Sequence, residues 1–427
     1  MEFKGDEARN SFKALKLVEE GEIPLTSSIS STGINEPPVF MYLLSLPFIF
    51  STSPVFATGF IALMNVAAIV ILFFLIKNYF SVQAALISVA LYAVNPWQVL
   101  FSRKMWTQNL LAPFVILFIY LILEAVIKKK KEYIIYSLLI LGIILQLHLS
   151  AIYFVALAGL IIILYYKDVK INYLIAGIVL CLITFIPYLI FQINNNFADL
   201  HTILTHFKQE RIFHSSAFLM PLTLFSTNGF EYSFGNDFNE FLHTAYKLPL
   251  IDYLSVTLLL FSLGYFLLNM NKLKWIFFSW LIFGVLYLFT NRAPILYEHY
   301  FNSISPVLFI ITGVATASLI KTIPVWAKYG VSTIILMIVV YQSAFTLNIL
   351  NFIKKKECID GDYGVPYEYR KNNILSGVNN LSVSYIEENI QTLHESTCHC
   401  VKCDIPATHF IIKHLRKDYV YWPIIEK

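Results

Sequence analysis

About ten long apolar segments, near residues 54–76, 83–101, 108–127, 132–147, 149–166, 172–192, 251–268, 274–290, 301–320 and 325–350, govern what this chain can become. A hydrocarbon core about 30 Å thick takes roughly 20 apolar residues as a helix, and most of these runs are near that length. The composition agrees: 57% of residues are hydrophobic and only 14% are charged. No water-soluble domain needs so much apolar surface. The expectation is an all-α polytopic membrane protein with about ten transmembrane helices. A shorter apolar run at 37–50, just after Pro37-Pro38, is too short to cross and reads as a re-entrant or interfacial helix.

Orientation follows from the cations in the short loops. One set of alternating loops carries Lys77, Lys128 to Lys131, Lys167, Lys170, Lys272, Lys274, Lys321 and Lys328. The opposite set carries only Arg103, Lys104 and Arg292. The lysine-rich side is expected to be cytoplasmic. The first loop (1–53), the turn around Trp97 to Trp106, His148, the long loop 193–250, the loop 291–300 and the carboxyl tail then share the other side. This layout requires a polar head to be translocated, and it leads to the expectation of a membrane helix upstream of Met1.

The polar residues gathered on that side are the candidates for chemistry. Asp6 and Glu7, in Gly5-Asp6-Glu7-Ala8-Arg9-Asn10, stand about thirty residues ahead of Glu36-Pro37-Pro38. Adjacent carboxylates beside a bilayer suit handling a proton or binding a hydroxyl. They equally suit the first turn of a helix, where acidic side chains complement the dipole. A helical pattern of Phe12, Leu15, Leu17 and Val18 ending at Gly21 supports the helix itself. Arg103 can bind a phosphate or snorkel at a helix end. His148 sits at the tip of a tight hairpin between two spans. Glu298-His299-Tyr300 follows Arg292 and precedes the span containing Pro306. The 193–250 insertion, with His201, His206, Lys208, Arg211 and His214, is long enough to act as a lid or a passive cap.

After residue 350 the composition changes, and segments 381–386 and 408–415 alternate like strands. Residues 351–427 therefore read as a small mixed α/β extracytoplasmic domain following a 1–350 membrane domain. Cys358, Cys398, Cys400 and Cys403 fall in it. The last three can form disulfides or bind zinc, with His394 or His409 as a further ligand, and neither use is catalytic. Cys181 lies within a span and reads as packing.

No Gly-rich nucleotide loop, Walker motif, serine elbow or basic arm for nucleic acid is present in the sequence. An enzyme of this kind would draw its donor from the membrane. The order Gly5-Asp6-Glu7-Ala8, Glu36-Pro37-Pro38, Ser102-Arg103 with Trp106, His148-Leu149-Ser150, and Glu298-His299-Tyr300 with Pro306 resembles the C-type membrane glycosyltransferases. That group includes the dolichyl-phosphate-mannose protein mannosyltransferases and the aminoarabinose transferases. The resemblance covers most of residues 1–320. It implies transfer of a hexosyl or pentosyl unit, with inversion, from a polyprenyl-phosphate-linked sugar to a lipid, glycan or protein acceptor at the extracytoplasmic face of the cell membrane. It implies Asp6 as the catalytic carboxylate with Glu7 beside it, and Arg103, His148, Arg292, Glu298, His299 and Tyr300 as substrate-binding residues. No cofactor is assigned, and divalent cation use stays open. The rival reading is a transporter or flippase for a lipid-linked sugar, although no internal repeat supports it.

Overall fold

The computed structural model describes residues 2–30, 33–208, 212–290, 295–357, 359–361, 366–369, 371–372 and 405–415. Secondary structure in these residues is helical, apart from isolated bridges at Glu2–Pro366 and Ile29–Asn35. Helix α1 (Gly5–Glu20) starts where Glu7 accepts the Lys4 backbone N–H at 3.0 Å. It stops at Gly21, whose φ of 71° is the left-handed conformation a glycine adopts freely. Residues 27–30 and 33–36 pair as the two arms of a hairpin, with Ser27 N–H donating to the Glu36 carbonyl and Glu36 N–H to that of Ser28. Short α2 (Val39–Phe48) follows Pro37-Pro38 and packs on α1, as the 37–50 run implied.

The bundle comprises α3 (Pro54–Tyr79), α4 (Val82–Val94), α5 (Pro96–Phe101), α6 (Leu111–Val126), α7 (Tyr133–Leu147), α8 (Tyr153–Leu164), α9 (Ile171–Thr184) and α10 (Ile186–Asn194). It continues after an insertion with α11 (Ala198–Lys208), α12 (Ser216–Phe225), α13 (Glu231–Phe234) and α14 (Phe238–Thr244). Then come α15 (Pro249–Leu268), α16 (Lys272–Phe289), α17 (Ser305–Thr322), α18 (Val325–Lys356) and, near the end, α19 (Ile405–Leu415). Six helices among the described residues are long and apolar enough to cross a membrane, seven if α9 and α10 count as one bent span; five shorter apolar helices accompany them. The spans of α6 and α17 are 83% and 78% buried, against 28% for α3, which puts the first two at the centre and leaves α3 to face lipid. At Gly313 a Cβ would stand 2.0 Å from Ser88 Oγ, so α17 and α4 approach closely only because a glycine lies there.

Three expectations change in detail. The single run 83–101 breaks at Asn95, whose side chain accepts the Gln98 N–H and caps a new helix beginning with Pro96. The run 172–192 bends by 48° at Phe185, where Pro187 lacks the N–H that a continuous helix needs. Residues 408–415, expected as a strand, lie within α19. Ala407, Thr408, His409, Phe410, Ile411 and Ile412 are all buried there, and alternation over so short a run does not separate a strand from a helix. Phe410 packs against Phe3 and Phe12 at 5.1 Å, so this helix sits on α1. Segment 381–386 and cysteines 358, 398, 400 and 403 lie outside the described residues.

The 193–250 insertion is mostly built into the bundle. Helix α12 wedges against α15, α16 and α17. Phe230 stacks on Trp97 at 4.2 Å and Phe234 on Phe241 at 4.4 Å, while Phe241 also meets Phe352 of α18. Helix α11 alone overhangs an opening, and its fixing point is buried Asp199. That carboxylate accepts hydrogen bonds from Asn35 N and Nδ2, from the Tyr188 hydroxyl and from Gln192 Nε2.

Candidate functional site

The first turn of α1 divides its two carboxylates. Asp6 points outward, its side chain 63% exposed, with Arg9 Nη1 3.1 Å from Oδ1. Glu7 points inward and the residue is 1% exposed. One of its oxygens takes the Lys4 N–H; the other, Oε1, is buried with no hydrogen-bond partner. Burial, and secondarily the nearby Glu2, push the Glu7 carboxyl up to about 8, with Lys104 acting in the opposite sense. Beneath it Lys104 Nζ pairs with Glu2 at 2.8 Å and lies 3.7 Å from the centre of the Trp106 ring, while Lys4 reaches Glu2 at 2.7 Å.

The raised value has a consequence for stability. A free carboxyl titrates near 4.5, so between about pH 4.5 and 8 the folded chain holds a proton that the unfolded chain releases. Stability present below pH 4.5 is therefore lost as pH rises to about 8. Glu7→Gln, which keeps an acceptor for Lys4, is expected to raise the unfolding temperature by a few degrees at pH 8 and hardly at pH 5. Thermal unfolding in detergent at the two pH values reads this difference, and an equal effect at both disproves it.

Arg103 follows α5 on the turn that α1 packs against, where Asn10 Nδ2 donates to the Met105 carbonyl at 2.9 Å. The arginine is half-buried, and its guanidinium has no hydrogen bond or ion pair among the described residues. The same turn continues into Thr107–Leu110, tied to the Glu298–Phe301 turn by Asn302 Nδ2 donating to Asn109 Oδ1 at 2.9 Å.

A cavity of about 340 Å³ opens between the 27–36 hairpin, α7, the Leu149–Ala151 turn, α10 and α11. At its polar end the backbone-pinned Glu36 faces His148, with Nε2 3.6 Å from Oε1. His148 Nδ1 lies 3.2 Å from the Ser150 backbone nitrogen and 2.8 Å from its hydroxyl, and Nε2 lies 3.0 Å from the Gln108 amide nitrogen, so the direction of each hydrogen bond follows from which ring nitrogen carries the proton. Burial pushes the Glu36 carboxyl up to about 8, and nearby Asp6 adds to that, while the Thr107 hydroxyl opposes it. Burial holds His148 down to about 4. At neutral pH the contact is therefore between a carboxylic acid and a neutral imidazole, not an ion pair. An aromatic run leads away: Tyr300 stacks on His148 at 5.8 Å, His299 meets Tyr300 at 4.5 Å, and Trp106 meets His299 at 5.0 Å. Glu298 and His299 line a small crevice with Lys104, Trp97 and Trp106.

The structure thus brings His148, His299 and Tyr300 into one continuous arrangement with the Arg103–Gln108 turn and α1. Arg292 lies outside the described residues, as do Arg211 and the side chain of His206. His201 and Lys208 are exposed on α11, and His214 lies apart, its backbone bonded to Phe289. Glu36, Thr107 and Gln108 are additions. Glu36 stands in the quoted Glu-Pro-Pro run, but its partner His148 is 112 positions away, and no local pattern announces the contact. Among the described residues no three His, Cys, Asp or Glu side chains come together in a way that could hold a metal ion.

The family described as dolichyl-phosphate-mannose-protein mannosyltransferase matches residues 35–191, a segment holding Glu36, Arg103 and His148. Among solved structures, ArnT from Cupriavidus metallidurans bound to undecaprenyl phosphate aligns at 13% identity over 97% of this chain and 72% of that one, with a TM-score of 0.54. The same protein in the apo state aligns at 14% identity over 97% and 71%, with a TM-score of 0.55. No curated protein sequence matches the chain. At these identities the likeness is one of architecture: the chain shares the fold of these structures, and its apolar helices make it a multi-pass membrane protein.

Proposed function

We propose that this chain transfers a hexosyl or pentosyl unit from a polyprenyl-phosphate carrier to a hydroxyl acceptor at the extracytoplasmic face, with inversion. The observation that carries the reading is the outward-facing Asp6 carboxylate on a helix packed against the turn that holds Arg103, half-buried and without an ion-pair partner among the described residues. The undecaprenyl phosphate bound in the ArnT structure supports a carrier of this class.

In the reaction Asp6 takes the proton of the acceptor hydroxyl, and the freed oxygen pair forms a bond to the anomeric carbon. The bond from that carbon to the carrier's phosphate oxygen breaks, and prenyl phosphate leaves with its electron pair. One displacement at one carbon inverts it. Charge grows on the phosphate as it departs, and Arg103 answers it with charge-assisted hydrogen bonds; Arg292 is a further cation proposed for the same role. Arg9 orients the Asp6 carboxylate. Glu7, buried behind it, serves as the cap that fixes the turn on which Asp6 rides. His148, Glu298, His299 and Tyr300 supply the surrounding contacts to sugar and acceptor.

The test is release of prenyl phosphate and labelled sugar transfer by the full chain in liposomes holding a polyprenyl-phosphate-linked sugar. Arg103→Ala is expected to raise the donor KM by about 10- to 100-fold, the worth of hydrogen bonds to a charged group. A parent chain that transfers nothing, or an Arg103→Ala chain with an unaltered donor KM, rejects the assignment.

A further inference from the structure

We propose that the cavity beneath α11 seats the acceptor, and that this acceptor is an uncharged amphiphile with a hydroxyl head and an apolar body that enters sideways from the lipid. The assignment rests on the proposed transferase reading and names its acceptor class. Three features of the cavity carry it.

The first is the wall. Ile34, Leu145, Phe185 and Ile203 give it a mainly hydrocarbon surface, and 340 Å³ is room for a head with the first part of a chain. The second is the mouth. Leu149, Ile152 and Val155 line the cavity yet remain 46%, 43% and 50% exposed, so the opening is flanked by side chains suited to lipid rather than water. The third is the polar end. Glu36, His148, Ser150 and Tyr300 offer donors and acceptors there, but no Lys or Arg is among the described lining residues. A phosphate buried without a cation is costly, and a carboxyl facing it makes matters worse. With Glu36 held protonated and His148 neutral, the cavity end instead matches a hydroxyl, which both donates and accepts. The apolar groove between α2 and α3, lined by Leu46, Phe50 and Phe56, has no such end and suits a plain hydrocarbon chain.

The experiment uses two photoactivatable probes with the same tail, diazirine-bearing farnesol and its phosphate, on the full chain in phosphatidylcholine nanodiscs. Labelled peptides are mapped by mass spectrometry. The alcohol is expected to label α8 and α10 around Val155 and Phe185 at least tenfold more than the phosphate does. Glu36→Leu should cut that labelling at least tenfold and Glu36→Gln should retain it, because an amide keeps both hydrogen-bonding senses. Val155→Trp, at the exposed mouth, should block entry without disturbing the core. Equal or stronger labelling by the phosphate overturns the proposal, as does labelling by neither probe or indifference to Glu36→Leu and Val155→Trp. Labelling needs no turnover. A chain that binds the alcohol here but transfers no sugar contradicts the transferase reading alone, whereas one that transfers sugar and labels with the phosphate contradicts only the acceptor assignment.

Discussion

Asp6→Asn is expected to lower the turnover number for sugar transfer by about 10²- to 10⁴-fold, the range that a positioned proton acceptor contributes. Asparagine has nearly the same shape and still offers an oxygen to Arg9, 3.1 Å away, but it cannot take a proton. Asp6 is exposed, so the exchange leaves the packing of α1 against α2 and the Met105 turn alone. Membrane insertion, unfolding temperature and donor KM should therefore stay close to those of the parent chain while kcat collapses. A fall in insertion together with activity points to a folding defect instead, and an unchanged kcat removes Asp6 from the reaction.

The largest effect on stability is expected from Lys104→Met. Glu2 has a fully buried carboxylate shared between Lys104 at 2.8 Å and Lys4 at 2.7 Å. Methionine refills much of the volume but leaves that charge short of one partner, a change that costs about 3–5 kcal/mol for a buried pair. Loss of the ammonium over the Trp106 ring adds about 1 kcal/mol. A clear drop in unfolding temperature in detergent should follow, and a second change, Glu2→Gln, should recover most of it by removing the stranded charge. If the single variant unfolds with the parent, or the double variant is no better than the single, the two groups are not coupled.

What the sequence made legible was local. The acidic first turn and Gly21 bracket α1 as expected, because capping is decided within a few residues. The 37–50 run is a short helix, and the long spans fall near their expected places, because hydropathy over twenty residues needs no knowledge of neighbours. Glu298, His299 and Tyr300 were recognisable as polar side chains crowded at the start of a span. The fate of Glu7 was not: the same two-letter run Asp-Glu yields one exposed and one buried carboxyl, and one of the charges acting on Glu7 is a lysine nearly a hundred positions away. The Glu36–His148 contact was hidden for the same reason, since it depends on where a hairpin meets the end of α7. Over 408–415 the run is too short for alternation to exclude a helix, and it folds as one that sets Phe410 against Phe3 and Phe12.

That surface sets an order of events during synthesis. Helix α1 leaves the ribosome long before α19, so the aromatic face the two share is not filled until the helices between them have been made. Contacts so far apart along the chain form late. A nascent chain thus carries Asp6, while the intervening helices are made, on a helix that still lacks its α19 brace.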